Sequence, residues 1–449
     1  MSAQPRTPGI TTEDRKRAVD RHRIGLLRTR SGRLNRFLLL LAIVGPGILV
    51  MLGENDAPSM LSYAATGSQF GVSLFLPFVV LTFAMAYIVQ EMTVRLGMAT
   101  HRGHAELIFD RFGRFWAWFA MADLTVGNFL TLVTEFIGIR AGLGFFGIPP
   151  AVAVSAAVAV VAVAALSGRY RTWERLTLSL AVFNLMFIPV AFLVHPNWGA
   201  VGHAMLTWGP LPGGLSSNSL LILVADIGAT VTPWMLFFQQ SAVADKGLTS
   251  PDLQSGRIDT ALGALFATIA ALATIIATVP LFTHKISAAN FQAAQFAQAL
   301  QPYIGRFGAS LFALGIFEAG LVAAITISTS SAYAYGEVSG AAHSLNRPLG
   351  EAWPFYSVFV LGAATAGAIV LIPGAPLEYI VLVVNVIAVL AMPPALVFLY
   401  LLCNDREVVG DLTSSRLANL ITGAVVVFLT VAGLFFAVTT LFPSLLPPA

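Results

Sequence analysis

Two hydrophobic stretches carry oxygen-bearing residues around a proline: Gly53-Glu54-Asn55-Asp56-Ala57-Pro58-Ser59, and Asp226 with Gly228-Ala229-Thr230-Val231-Thr232-Pro233. Asp56 and Ser59 stand three residues apart, as do Ala229 and Thr232, so each pair shares a face where a helix resumes or ends. A carboxylate, hydroxyls and freed backbone carbonyls together form a ligand set for a hard divalent cation. The broken turns themselves hold no soft donor, and Met235, one turn beyond Thr232, reads as core packing. Further acids, Asp123, Glu135 and Glu318, sit deep in apolar segments, while Arg95, Arg140 and Arg175 keep to segment ends. Acids at membrane depth are costly and usually face a bundle interior or a hydrated path. An unbalanced set of carboxylates is accounted for by a cation that visits them. For Asp123 and Glu318, which have no motif around them, the plainer expectation is a protonated carboxyl hydrogen-bonded to Ser, Thr or backbone.

The elements that must position these groups follow from composition. With 57% hydrophobic and 10% charged residues, the chain departs from the soluble average of about 25% charged. Its apolar runs reach the length, about 20 residues, that a spanning helix needs. Eleven are predicted: 37 to 67 (broken), 72 to 97, 116 to 143, 150 to 167, 173 to 195, 217 to 241 (broken), 260 to 284, 306 to 336, 353 to 373, 376 to 402 and 417 to 441. In lipid a helix is interrupted only where protein or a water-filled cavity receives the freed backbone groups. A matched pair of broken helices is the sequence pointer to a transporter's substrate site, and the breaks at Pro58 and Pro233 suggest two structural halves.

Charge sets the expected orientation. If the N-terminus is inside, 22 of the 25 Lys and Arg fall on the cytoplasmic side, and only Arg140, Lys285 and Arg306 fall outside. Residues 1–36 hold ten of them, without an apolar core of a signal peptide, and read as a basic cytoplasmic tail that meets anionic lipid. An odd number of spans leaves the C-terminus extracytoplasmic. The pI of about 9.1 thus reports membrane orientation, and nothing further supports a nucleic-acid partner. Cys403 is the only cysteine, which excludes an intramolecular disulfide and a cysteine-rich metal site. His101 and His104, with Arg102 and Glu106, read as solvated loop residues rather than a catalytic metal set, so no enzyme is expected. Trp116, Trp118, Trp173, Trp198, Trp208 and Trp353 fall near segment ends or in loops and are expected as interfacial anchors. Trp234 follows the second break, where it either packs or gates the cavity. Gly315, Gly320, Gly362 and Gly367 are expected at close helix contacts.

The ordered motifs carry a family resemblance. Gly45-Pro46-Gly47 through Gly71, with Asp56-Ala57-Pro58-Ser59 inside, resembles the first helix of the NRAMP divalent-metal transporters, whose signature is Asp-Pro-Gly-Asn. Ala229-Thr230-Val231-Thr232-Pro233-Trp234-Met235 resembles their sixth-helix signature, Ala-x-x-Met-Pro-His-Asn. Weaker similarity runs through Val133 to Gly138, Ser328 to Gly336 and Asn385 to Pro394, covering roughly residues 40 to 410. The resemblance implies an all-α integral membrane protein with a LeuT-like inverted five-plus-five helix repeat, helices 1 and 6 broken at the midplane, and an added eleventh helix. It implies a transporter core over residues 37–402, with repeats at about 37–195 and 217–402, then a loop and last helix over 403–449.

Carried over by residue, Asp56 is the metal-binding carboxylate, Ser59 stands for a ligating Asn, and Ala229 offers its carbonyl. Thr232 replaces the metal-ligating Met, and Asn385 stands for a helix 10 Gln. A thioether favours softer transition metals, so Thr232 biases the site toward a hard ion, as in the family branches that resemble magnesium transporters. Glu135 matches the helix 3 Glu of proton-coupled members, but Leu132 and Trp234 replace their Asp and His, and residues 353–373 contain no Arg. The expectation is therefore alternating-access transport of Mg²⁺, and also Mn²⁺, with weak or no proton coupling. Glu54 and Asp226, acids beside the breaks, are the candidates for an accessory proton site, with Glu135. Two other readings stay open: a proton-coupled Mn²⁺/Fe²⁺ symporter, and an amino-acid permease of the same architecture. The metal is substrate, no cofactor is implied, a prokaryotic inner membrane is expected, and the oligomeric state is left open, a monomer being compatible.

Overall fold

The computed structural model describes residues 43–286, 293–375 and 377–442; the basic tail lies outside them. The described chain is helical throughout, and Asp56 sets the first break. Helix α1 (Pro46–Glu54) stops at Asn55, and α2 (Ala57–Phe70) begins with Asp56 as its N-cap. An aspartate accepts from an otherwise orphaned first-turn amide, and proline is tolerated in a first turn, so Asp-Ala-Pro starts a helix where a continuous one would be lost.

The chain then forms α3 (Phe75–Thr100), the short amphipathic α4 (His104–Phe112), α5 (Arg114–Gly144), α6 (Pro150–Ala165) and α7 (Tyr170–Ala181). A 3₁₀ turn over Val182–Met186 joins α7 to α8 (Phe187–Leu193), and α9 (Trp198–Thr207) lies in the following loop. The second broken span is α10 (Ser217–Gly228) and α11 (Pro233–Lys246), opened by a Ser216–Ser219 capping box. Then come α12 (Leu253–Thr283), α13 (Ala293–Ser339), α14 (Trp353–Val370), α15 (Leu377–Asn404), the turn-length α16 (Arg406–Val409) and α17 (Arg416–Leu441). Gly305, at φ 67°, divides α13 into a short first part and a long spanning part.

Among the described residues, eight helical segments are long and apolar enough to cross a membrane. With the α1–α2 pair, α6 and α15 they make the eleven expected segments. Most bounds lie within a few residues of expectation, but α12 begins at Leu253 rather than 260, α11 runs on to Lys246 past the expected 241, α13 begins at Ala293 ahead of the expected 306, and α1 begins at Pro46 rather than 37. Side chains such as Val163, Leu361, Leu417, Leu420 and Val427 stay more than 60% exposed on these helices, which suits lipid contact and not water. The chain is a multi-pass membrane protein.

Packing holds the broken helices at the centre. Helix α12 runs along α1 and α2, α13 packs on α5 and α11, and α17 lies at the edge against α15. The contact of α2 with α12 is close because of Gly67: a Cβ there would lie 2.0 Å from the Ile275 carbonyl oxygen. Backbone, unlike a flexible side chain, has no rotamer by which to yield. Gly67→Ala is expected to cost about 1–3 kcal/mol by overpacking, read as earlier thermal unfolding in detergent; an unchanged midpoint would contradict this contact.

Three expectations need correction. Trp173 is fully buried, in tilted ring contacts with Tyr170 and Phe238, because its face of α7 points inward, although it stands at a span end. His104 is fully buried as well: α4 folds back under the bundle and places its Nδ1 3.0 Å from Gln240 Oε1. Desolvation pushes that imidazole down to about 4, so it is neutral at physiological pH, and no solvated loop histidine. Gly362 has only an ordinary 3.8 Å contact, with Leu132, whereas Gly315, Gly320 and Gly367 sit at tight ones. The other five tryptophans expected as anchors, Trp116, Trp118, Trp198, Trp208 and Trp353, are all exposed.

Candidate functional site at two facing helix breaks

The first break is built around Asp56. Its carboxylate accepts from the Ser59 amide at 2.8 Å, and the Ser59 hydroxyl also bonds to it. Glu135, from α5, accepts from the Ala57 amide at 3.1 Å and lies beside the Asp56 carboxyl. Two carboxylates thus share the N-terminus of α2, where exposed amides and the helix dipole favour negative charge. Glu54 ends α1 on the opposite side of the same break. Exposure is 0% for Glu54, 3% for Asp56, 0% for Glu135 and 6% for Ser59, so the cluster is closed off from solvent.

The second break faces the first directly. Thr232 donates its hydroxyl to Glu54 Oε2 at 2.7 Å, and Tyr63 donates to the Ala229 carbonyl oxygen at 3.0 Å. Asp226, on the last turn of α10, accepts from Ser62 at 3.0 Å and from Thr66 at 3.0 and 3.1 Å. A carbonyl oxygen has two lone pairs, so Ala229 can take the Tyr63 hydrogen bond and still meet a cation. Trp234 is 1% exposed; its ring packs on Gly53 and Phe238, and its carbonyl accepts from Ser330 at 3.0 Å. In this conformation Trp234 is packing beneath the break. Met235 is fully buried core.

The structure therefore brings Asp56, Ser59, Glu54 and Glu135 together at one break and joins them to Thr232 at the other. Asp226 sits a turn away, latched to α2. Asn385 lies within α15, but its side chain falls outside the described residues. Among the described residues no three His, Cys, Asp or Glu side chains are arranged to hold a metal. A bound ion must then draw on mixed oxygens: carboxylate, hydroxyl, carbonyl and water. One spacing in the sequence, Ser62 and Thr66 four apart, signals the hydroxyl face that meets Asp226. The Tyr63 contact has no such signal.

Comparison with known proteins points to one family. Residues 47–439 match the family model described as natural resistance-associated macrophage protein-like, Nramp. A divalent metal cation transporter of Brucella suis is 31% identical over 312 residues, 66% of this chain and 66% of the relative. The transporter of that name from Yersinia enterocolitica is 25% identical over 406 residues, 88% of this chain and 93% of the relative. Among solved structures, a manganese transporter of Eremococcus coleocola superposes with a TM-score of 0.74 at 19% identity, covering 92% of this chain and 89% of that one. MhsT, solved in complex with L-phenylalanine, has a TM-score of 0.58 at 13% identity, covering 88% of this chain and 98% of that one. These two likenesses are of fold.

Proposed function

From a chain that belongs to the Nramp family, whose members are membrane transporters and not enzymes, we propose a carrier of divalent metal cations with a bias toward hard ions, Mg²⁺ and also Mn²⁺. The observation that carries this reading is the convergence of Glu54, Asp56 and Glu135, all buried, on two facing helix breaks. Buried charge without a partner costs several kcal/mol, and no Lys or Arg among the described residues pairs with these three. A divalent ion relieves that cost and takes Asp56, Ser59, the Ala229 carbonyl and Thr232 as ligands, with Asn385 as a further one from α15. The C-terminal ends of α1 and α10 present carbonyls to the site and add negative potential.

The hard-ion bias rests on Thr232. A hydroxyl stands where a thioether would recruit softer metals, and short Ser59 and Thr232 side chains leave room for retained waters. Thr232→Met is expected to raise uptake of Mn²⁺ over Mg²⁺ on the order of tenfold, measured as competing fluxes into proteoliposomes. An unchanged ratio would contradict this origin of selectivity. Met is also unable to donate to Glu54, so the variant frees that carboxylate as well.

Uptake with weak or no proton coupling is driven by the gradient and the membrane potential, about 4.6 kcal/mol per 100 mV for two charges. A second reading, a proton-coupled Mn²⁺/Fe²⁺ symporter, draws on Glu135 beside Asp56 and on Asp226 nearby. Flux of Mg²⁺, Mn²⁺ and Ca²⁺ with internal pH recorded separates them: metal-dependent acidification supports the second reading and contradicts the first. Alternating access would rock the α1–α2 and α10–α11 spans against the other helices. The face bearing the α1 N-terminus is then cytoplasmic, in an inner membrane.

A further inference from the structure

Thr232 opens α11 as its N-cap, a position where a threonine ordinarily accepts from an amide of its own first turn. Its hydroxyl makes no such bond. Asp56 at the start of α2, Ser216 at α10 and Ser415 at α17 all do. The Thr232 hydroxyl donates instead to Glu54 Oε2 at 2.7 Å, from one break to the other. A hydroxyl carries one hydrogen and two lone pairs, so with that hydrogen given away and no amide donating to the oxygen, both lone pairs are left for an ion. Thr232 keeps part of its surface accessible, whereas Glu54 is fully buried.

Packing holds Glu54 in place for this contact. It is the last residue of α1, and a Cβ on neighbouring Gly53 would lie 3.0 Å from Thr326 Oγ1 and 3.1 Å from the Trp234 ring, so the helix end is seated against α13 and α11. The Trp234 side chain also borders the carboxyl, without a full hydrogen bond between its Nε1 and Glu54 Oε1. Among the described residues, the well-formed hydrogen bond to the Glu54 carboxyl is therefore the one from Thr232.

A neutral hydroxyl is a weak ligand for a divalent ion unless something fixes its rotor and enriches its oxygen. A carboxylate that accepts its hydrogen does both, through a charge-assisted bond, as a carboxylate does for a metal-bound imidazole. Given the divalent site argued above, we propose that Glu54 is a positioning residue for the metal: its carboxylate orients and polarises the Thr232 hydroxyl, and that oxygen, not Glu54, meets the ion. Thr232 is thereby a competent hard-oxygen ligand in the place of a thioether, and the selectivity of the site depends on a residue of the opposite break.

The test is a double-mutant cycle on Mn²⁺ and Mg²⁺ binding, measured by calorimetry on the full-length protein in detergent. Glu54→Gln is expected to weaken both ions by about 10–100-fold. Glu54→Asp keeps the charge but withdraws it by one methylene from Thr232, and is expected to lose nearly as much. Thr232→Ser keeps the hydroxyl and is expected to bind within about threefold of the parent. In a Thr232→Val background, where no hydroxyl is left to orient, Glu54→Gln is expected to add no more than about a threefold loss. Losses that multiply in the double variant would overturn the proposal, because Glu54 would then act on the ion without Thr232. Parent-like binding by Glu54→Gln or Glu54→Asp would overturn it too, and the Asp variant decides the matter should the Gln variant misfold. Failure of the divalent reading would instead appear as absent Mn²⁺ and Mg²⁺ binding by the parent itself.

Discussion

Asp56→Ala is expected to reduce divalent-metal uptake into proteoliposomes to the level of protein-free vesicles, a loss of at least about 100-fold. A bond to an ionised group in a closed site is worth about 1.5–3 kcal/mol, and here the charged ligand is removed entirely. Asp56 has a second role that must be separated from the first. It caps α2 through the Ser59 amide, and losing an N-cap costs about 1 kcal/mol. Asp56→Asn keeps an acceptor for that amide while removing the charge. It is expected to remain folded and to transport as poorly as the alanine variant. Restored flux in Asp56→Asn would mean that the cap, and not the carboxylate charge, is what transport requires.

The second large effect concerns the opposite end of α1. Lys246, at the C-terminus of α11, is 4% exposed and donates to Glu174 Oε1 at 2.7 Å and to the Ile43 and Val44 carbonyl oxygens at 2.8 and 2.9 Å. Asp259, from α12, accepts from the Gly45, Gly47 and Ile48 amides at 3.0, 2.7 and 3.2 Å. One cation and two acids thus clamp the start of α1 to α7, α11 and α12, and close the bundle at that face. Gly45 allows the approach: at φ 156°, a Cβ there would lie 2.0 Å from Glu174 Oε1. Lys246→Ala leaves Glu174 buried without its partner, a change worth about 3–5 kcal/mol. The expected readout is amide exchange at Gly47 and Ile48 faster by on the order of 100-fold or more, with the distant α14 unaffected. Exchange that stays slow in the variant would show that the clamp does not hold this face shut.

Much of the architecture was legible because it rests on local rules. Eleven apolar runs, and a proline with an acid inside the first, are enough to place Asp56 as a helix start and to pair the breaks. The orientation of particular faces was not legible. Trp173 and His104 stand where anchors and solvated residues are expected, and only the packing of α7 and α4 turns them inward. The contacts that complete the site were hidden for another reason. Tyr63 with Ala229, Glu54 with Thr232 and Asn55 with Asn184 each join residues more than 120 positions apart. No periodicity encodes such pairs. Glu318 shows the converse: the residue was visible as a buried acid, but that its neighbour is the Asn184 side chain, from the 3₁₀ turn of another span, depended on packing.

Anomalous diffraction from crystals soaked in Mn²⁺ locates the ion without reference to flux. The expected result is one strong peak between the two breaks, within coordination distance of the Asp56 carboxylate and the Ala229 carbonyl oxygen, absent from crystals of Asp56→Ala. A peak elsewhere in the bundle, or one at the breaks that survives the removal of Asp56, would contradict a divalent-cation site built on that carboxylate.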